Sequence, residues 1–196
     1  MSDFSNQTTY EREPAKRVFA FELREASKTI KDENDEKSPV YLLLPTGERC
    51  NRVLIAGAIT QKDKVGDQNV IYRARVSDPT GIFYINASSY QPEAMLQLAK
   101  IDTETPSFVV VVGKPSAYTT PEGKTLISIR AESIRVVDSD TRDLWVADTA
   151  KSTLDRVDSM MENPTDDAKL ARDTYRFVPE HWKKMVYDAV SRMVQL

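Results

Sequence analysis

Eight side chains in this 196-residue sequence have types and spacings that suggest one chemistry: Tyr84, Tyr90, Tyr118, Arg73, Arg75, Lys114, Lys124 and Arg130. Cations that follow a phosphate chain and aromatic rings that stack on bases together hold single-stranded nucleic acid without sequence preference. Each stack contributes about 1–3 kcal/mol. The planar fork of Arg suits both phosphate contact and base stacking, whereas Lys acts as a mobile point charge. The same residues have a plainer reading. Tyr commonly buries its ring at a rim and turns its hydroxyl to water, and alternating Arg on a strand can simply mark a solvated face.

Other chemistries find little support. Cys50 and His181 are the only cysteine and histidine, which excludes an internal disulfide and a Cys/His zinc site made by this chain alone. A nucleophile–base pair between them would need the C-terminal arm to fold onto the strand that follows Cys50. No spaced carboxylate set suits metal-assisted hydrolysis, and no glycine-rich phosphate loop occurs among six glycines. The expectation is a protein that is not an enzyme and needs no cofactor. The longest aliphatic run, 108–112, is far short of the roughly 20 residues of a membrane-spanning helix. Residues 1–13 are polar without an apolar core, so the expected location is cytoplasmic, with no membrane partner.

The charge distribution narrows the reading. Overall 27 basic residues face 30 acidic ones, a net charge of −3. Residues 1–40 carry seven basic and nine acidic side chains, 41–137 eleven and nine, and 138–196 nine and twelve. Only the middle is basic, at +2. If it neutralises about three phosphates, log K should fall against log salt with a slope of about −2. Binding by this chain alone should then be weak, and tight binding should need a partner.

The elements that must position these residues follow from periodicity. Residues 40–44 are apolar and stop at the turn 45–48, and residues 52–60 form a long apolar run interrupted by Gly57, where a bulge or bend is expected. Past a polar loop at 62–68, residues 69–78 alternate so that Arg73 and Arg75 share a face. The turn 78–81 (DPTG) makes a hairpin with 82–87. Residues 92–100 read as a short helix opened by Pro92, 108–112 as a strand ended by Gly113, and 125–137 as a last strand after the turn 121–124. That places Tyr90 after the third strand and Tyr118 in the loop between the fourth and fifth. Five strands with a helix between the third and fourth describe the five-stranded oligonucleotide/oligosaccharide-binding (OB-fold) barrel; a β-sandwich is the alternative. The expected organisation is a flexible tail (1–14), a mainly β OB-fold domain with an N-terminal extension (15–138), an amphipathic helix (139–162) and a C-terminal helical arm (163–196), with KDENDEK (31–37) as a solvated loop.

Asp140 is the expected cap of the helix, in which Leu144, Ala147, Ala150, Leu154, Val157 and Met161 recur every three or four residues with Trp145 beside them. A stripe of this length suits a seam between chains, and the alternative is a helix folded back over the barrel's end. Beyond a cap at Thr165 and a break at Pro179, the residues Trp182, Met185, Val186, Ala189, Val190 and Met193 form a second apolar face. That face is either a module for a partner or packing against the chain's own barrel.

Several stretches, in order, resemble the archaeal replication-protein-A-associated family, which is similar to the middle subunit of eukaryotic replication protein A. They are 38–60 (SPVYLLLPTGERCNRVLIAGAIT), 78–81 (DPTG), 90–94 (YQPEA), 111–115 (VVGKP), 129–138 (IRAESIRVVD) and 141–146 (TRDLWV), and with their connections they cover about 15–160. The resemblance implies an OB-fold subunit acting on single-stranded DNA in replication, repair and recombination. It also implies a replication protein A large subunit as partner, with a further small OB-fold subunit possible. In that family aromatic residues at places corresponding to Tyr90 and Tyr118 stack on DNA, Tyr118 being the better match at five residues past Gly113. The helix equivalent to 141–161 joins the subunits in a three-helix bundle. The 34 residues after Glu162 are too few for the winged helix that ends the eukaryotic subunit, so that function is not implied. The lack of zinc ligands favours an accessory over a large subunit.

Overall fold

The alternating middle third of the chain folds into five long strands that close on themselves. The computed structural model describes residues 12–31 and 38–194. The N-terminal part contributes β1 (Lys16–Arg17), α1 (Ala20–Glu25), β2 (Thr29–Ile30), β3 (Tyr41–Leu43) and β4 (Arg49–Cys50). The barrel strands are β5 (Val53–Val65), β6 (Ile71–Asp78), β7 (Gly81–Ser88), β8 (Ser107–Thr119) and β9 (Thr125–Val137), with α2 (Pro92–Lys100) between β7 and β8. The helices α3 (Ser139–Glu162), α4 (Asp166–Thr174) and α5 (Pro179–Val194) follow.

Sheet order β1-β5-β6-β7-β9-β8 is closed by a β5–β8 pairing, and β7 runs parallel to β9. This is the OB-fold barrel: β5 pairs with both β6 and β8, and the helix sits between the third and fourth barrel strands. The strand at 41–43 lies outside it, in a small sheet of order β2-β3-β4. Residues 1–11 of the expected tail and most of the expected loop at 31–37 lie outside the described residues.

Three expectations about the barrel change. The start of the expected loop at 62–68 is strand, because β5 runs on to Val65 against β6. The bulge in β5 falls between Ile59 and Gln61, not at Gly57. Gly57 serves a close approach instead, since a Cβ there would lie 2.3 Å from the Ser77 carbonyl oxygen. Gly113 marks an irregularity in β8, which continues past it to Thr119, so Tyr118 belongs to a strand and not to a loop. Paired only with β9 beyond Gly113, β8 forms with it a two-stranded arm that leaves the barrel.

Helices α1, α2 and α3 pack against the barrel strands, and α5 packs on α3. Trp145 is buried, donates its indole N–H to the Leu54 carbonyl at 2.9 Å and meets Phe19 and Phe83 edge-on. The α3 cap is Asp138, not Asp140: its carboxylate accepts the Thr141 N–H at 2.8 Å. On α1, the Ala20 N–H donates to Asp78 and the Phe21 N–H to the Thr80 hydroxyl, which ties the N-terminal helix to the β6–β7 turn. Glu22, fully buried, pairs with Arg156 of α3 at 2.9 Å, and both hydrogen-bond to Thr46. A buried pair of this kind is costly to break from one side only.

Candidate nucleic-acid interface

The barrel's hydrogen-bond register assembles most of the expected contact residues on its outer face. Residues directly opposite in a sheet project to the same side. Lys114 of β8 lies opposite Arg130 of β9, Arg130 beside Asn86 of β7, Asn86 opposite Arg73 of β6, and Arg73 opposite Asp63 of β5. One continuous row therefore crosses all five strands. A second row pairs Gln61 with Arg75 and Arg75 with Tyr84, and the Arg75 guanidinium stands 5.8 Å from the Tyr84 ring centroid. On the projecting arm Tyr118 lies opposite Leu126, and both are exposed.

Alternation explains the placement. In β6 the buried Ala74 separates the exposed Arg73 and Arg75, with Val76 next on the same inward face, and in β7 the buried Phe83 and Ile85 flank the exposed Tyr84. In β9 the exposed Arg130 sits between the buried Ile129 and Ala131. Among the described residues, none of Arg73, Arg75, Lys114, Lys124 and Arg130 lies within ion-pair distance of a carboxylate. The neighbouring Arg52 and Arg135 are spent on Glu132 and Glu93. The cations on this face keep their full donor capacity for an external anion.

The remaining expected residues stand apart from the rows. Lys124 is at the tip of the β8–β9 arm, where its N–H donates to the Thr120 hydroxyl at 3.2 Å. Tyr90, 89% exposed, is in the turn between β7 and α2, beyond the Ser88 end of β7. Four participants were not anticipated: Gln61 and Asp63, which end the two rows on β5, and Asn86 and Leu126. Asn86 fills the gap between Arg130 and Arg73, and its amide donates to the Ser128 hydroxyl at 3.3 Å. Leu126 adds apolar surface opposite Tyr118. Asn86 could have been found from its alternation with Tyr84 on β7.

The two apolar helix faces are used differently from the expected interfaces. Trp145, Ala150 and Val157 are buried in their own chain and Leu154 is half-buried against the same core, so these four are not available to a partner. Leu144, Ala147 and Met161 are exposed. The stripe fails as a single surface because α3 presents Trp145, Val146, Thr149, Thr153 and Met160 inward as well, which turns its buried side away from the 144–147–161 edge. On α5, Trp182, Val186 and Ala189 are buried, and Met185, Val190 and Met193 pack half-buried against the main core. That face folds onto its own chain, which corrects its reading as a partner module.

Burial pushes the Cys50 thiol up to about 12, helped by the negative charge of Glu22. A thiol so protonated and enclosed is no nucleophile at neutral pH. Among the described residues no group of three His, Cys, Asp or Glu side chains is placed to hold a metal ion, and no helix is long and apolar enough to cross a membrane.

No protein-family model and no curated protein sequence matches the chain. Among solved structures it is similar to the N-terminal domain of PriB from Thermoanaerobacter tencongensis, at 17% identity over 45% of this chain and 97% of that one, with a TM-score of 0.34. It is also similar to yeast Stn1 and Ten1, at 12% identity over 66% of this chain and 64% of that one, with a TM-score of 0.44. Asparaginyl-tRNA synthetase from Pyrococcus horikoshii matches at 18% identity over 56% of this chain, with a TM-score of 0.36, and only 29% of that chain is spanned. These likenesses concern fold alone. The barrel assignment stands on this chain's own strand pairing.

Proposed function

We propose that the chain binds single-stranded DNA across the outer face of its barrel, as an accessory subunit of an archaeal replication protein A complex in the cytoplasm, associated with the nucleoid. Its partners on this reading are the large subunit and a further small OB-fold subunit, and its work is to protect and organise single strands in replication, repair and recombination. The observation that carries the DNA contact is the unpaired cationic row from Lys114 through Arg130 to Arg73, with Arg75 and Tyr84 beside it. Phosphates sit on Arg130, Arg73 and Lys114, with Arg75 and the arm-tip Lys124 taking the flanking ones. One base stacks on Tyr84, where Arg75 extends the platform, and another on Tyr118, 61% exposed on the arm. Neither step is chemical, and no bond is made or broken.

Titration of fluorescent oligo-dT by anisotropy tests this directly. Tyr118→Ala with Arg73→Ala removes one stack and one phosphate contact, both at exposed positions, and should weaken binding at least about ten-fold. Unchanged affinity with intact circular dichroism would refute the contact. A second reading, an assembly subunit with little DNA contact, is favoured by the exposure of Leu144 (64%), Ala147 and Met161 on α3. It predicts that Leu144→Asp with Met161→Asp abolishes co-purification with the large subunit while leaving DNA affinity of the isolated chain unchanged.

A further inference from the structure

The geometry points to Asp63 as the residue that ends the DNA track on the barrel and directs the bound strand away from β5. This rests on the DNA-binding reading above. Across the row from Lys114 to Asp63 the side chains run cation, cation, amide, cation, carboxylate. Neighbouring strands lie about 4.8 Å apart, so Asp63 stands one strand spacing beyond Arg73. It is exposed and shares the face of Arg73, its register partner.

The carboxylate is also positioned. Gln61, two residues earlier on the same face, donates its amide N–H to Asp63 at 2.8 Å. Asp63 nevertheless makes no ion pair with Arg73 among the described residues. The guanidinium is therefore open to phosphate, but a phosphate bound there meets a fixed like charge on its β5 side. On its other side along β6 it meets Arg75, opposite Tyr84. Repulsion ahead and attraction beside turn the strand along β6. Asp63 thus repels a phosphate held at Arg73 and sets the edge of the footprint.

The test uses the full chain and fluorescent oligo-dT at low salt. Asp63→Asn keeps the shape and the bond from Gln61 but removes the charge, and should tighten binding about three-fold, the size of one screened like charge at about 7 Å. Asp63→Lys should tighten it about ten-fold and steepen the salt slope by about 0.7. Because the effect runs through Arg73, Asp63→Asn should gain nothing in an Arg73→Ala background. These are gains of function, so loss of folding cannot imitate them. An Asp63→Asn affinity equal to wild type overturns this inference while leaving the DNA contact standing. So does a gain that persists without Arg73. Absence of wild-type binding overturns both readings.

Discussion

The salt dependence of DNA binding is the most demanding measure of the barrel face, because the structure fixes how many cations are free to act. Five cations, Arg73, Arg75, Lys114 and Arg130 on the rows and Lys124 at the tip of the β8–β9 arm, carry no ion pair among the described residues. At about −0.7 per single-strand phosphate, five contacts give a slope of log K against log salt of about −3.5. Affinity should then fall about 100-fold between 50 and 200 mM salt, a steeper loss than the three contacts inferred from net charge imply. Arg73→Ala with Arg130→Ala should flatten the slope to about −2 and reduce the loss to about 20-fold. Arg49, in the small sheet and forked onto Asp167, supplies the control, since Arg49→Ala should leave the slope unchanged. Anisotropy titrations at four salt concentrations measure all three. A wild-type slope near −1, or equal slopes for the double variant and the Arg49 control, refutes the assignment of these cations to phosphate.

Three further outcomes concern the scaffold. Arg156→Met strands the fully buried Glu22 without its cation and should cost about 3–5 kcal/mol in urea denaturation, whereas Glu22→Leu with Arg156→Met should recover most of that loss. Asp78 is half-buried as a residue, but its carboxylate is enclosed by the Ala20, Thr80 and Gly81 N–H groups and the Thr80 hydroxyl at 2.6–2.8 Å. Burial raises it to about 6 against the pull of these donors. The folded value lies above the unfolded value of about 3.9, so its contribution is fully present below pH ~4 and is lost as pH rises through about 6. The loss amounts to about 3 kcal/mol, and Asp78→Asn should flatten this limb of the stability profile. Cys50, buried with its thiol raised to about 12, should resist alkylation by iodoacetamide at pH 8 until denaturant opens the fold.

What the sequence made legible is what repeats locally. The alternation in 69–78 and 82–87 is enough to put Arg73 and Arg75 on one face, and Pro92 is enough to start a helix, because these signals live within a few residues. Which strands sit side by side is a long-range fact. The row joining Lys114 to Arg130, Asn86 and Arg73 depends on a parallel pairing of β7 with β9, residues more than forty apart, and no local pattern encodes that register. The polar 62–68 stretch reads as a loop for the same reason. Its first residues continue β5 only because β6 pairs with them through Val65 and Ile71, and with that extension Asp63 enters the row.

The helices show the converse limit. Periodicity says that α3 and α5 each have an apolar face, but it cannot say whether the surface that covers it belongs to the same chain. Trp145 decides the matter for α3: an indole N–H bonded to the Leu54 carbonyl and a ring wedged against Phe19 and Phe83 are commitments to this barrel. Cutting the chain after Asp138 therefore does not isolate an assembly helix from an intact DNA-binding domain. It also removes Trp145, Val146 and Ala150 from the core that β5 and α1 share, and a large-to-small loss of Trp alone costs about 3–5 kcal/mol. Assembly and DNA contact can be separated only by changing side chains that the fold leaves exposed, which is why Leu144 and Met161 on one side and Asp63 and Tyr118 on the other are the informative positions.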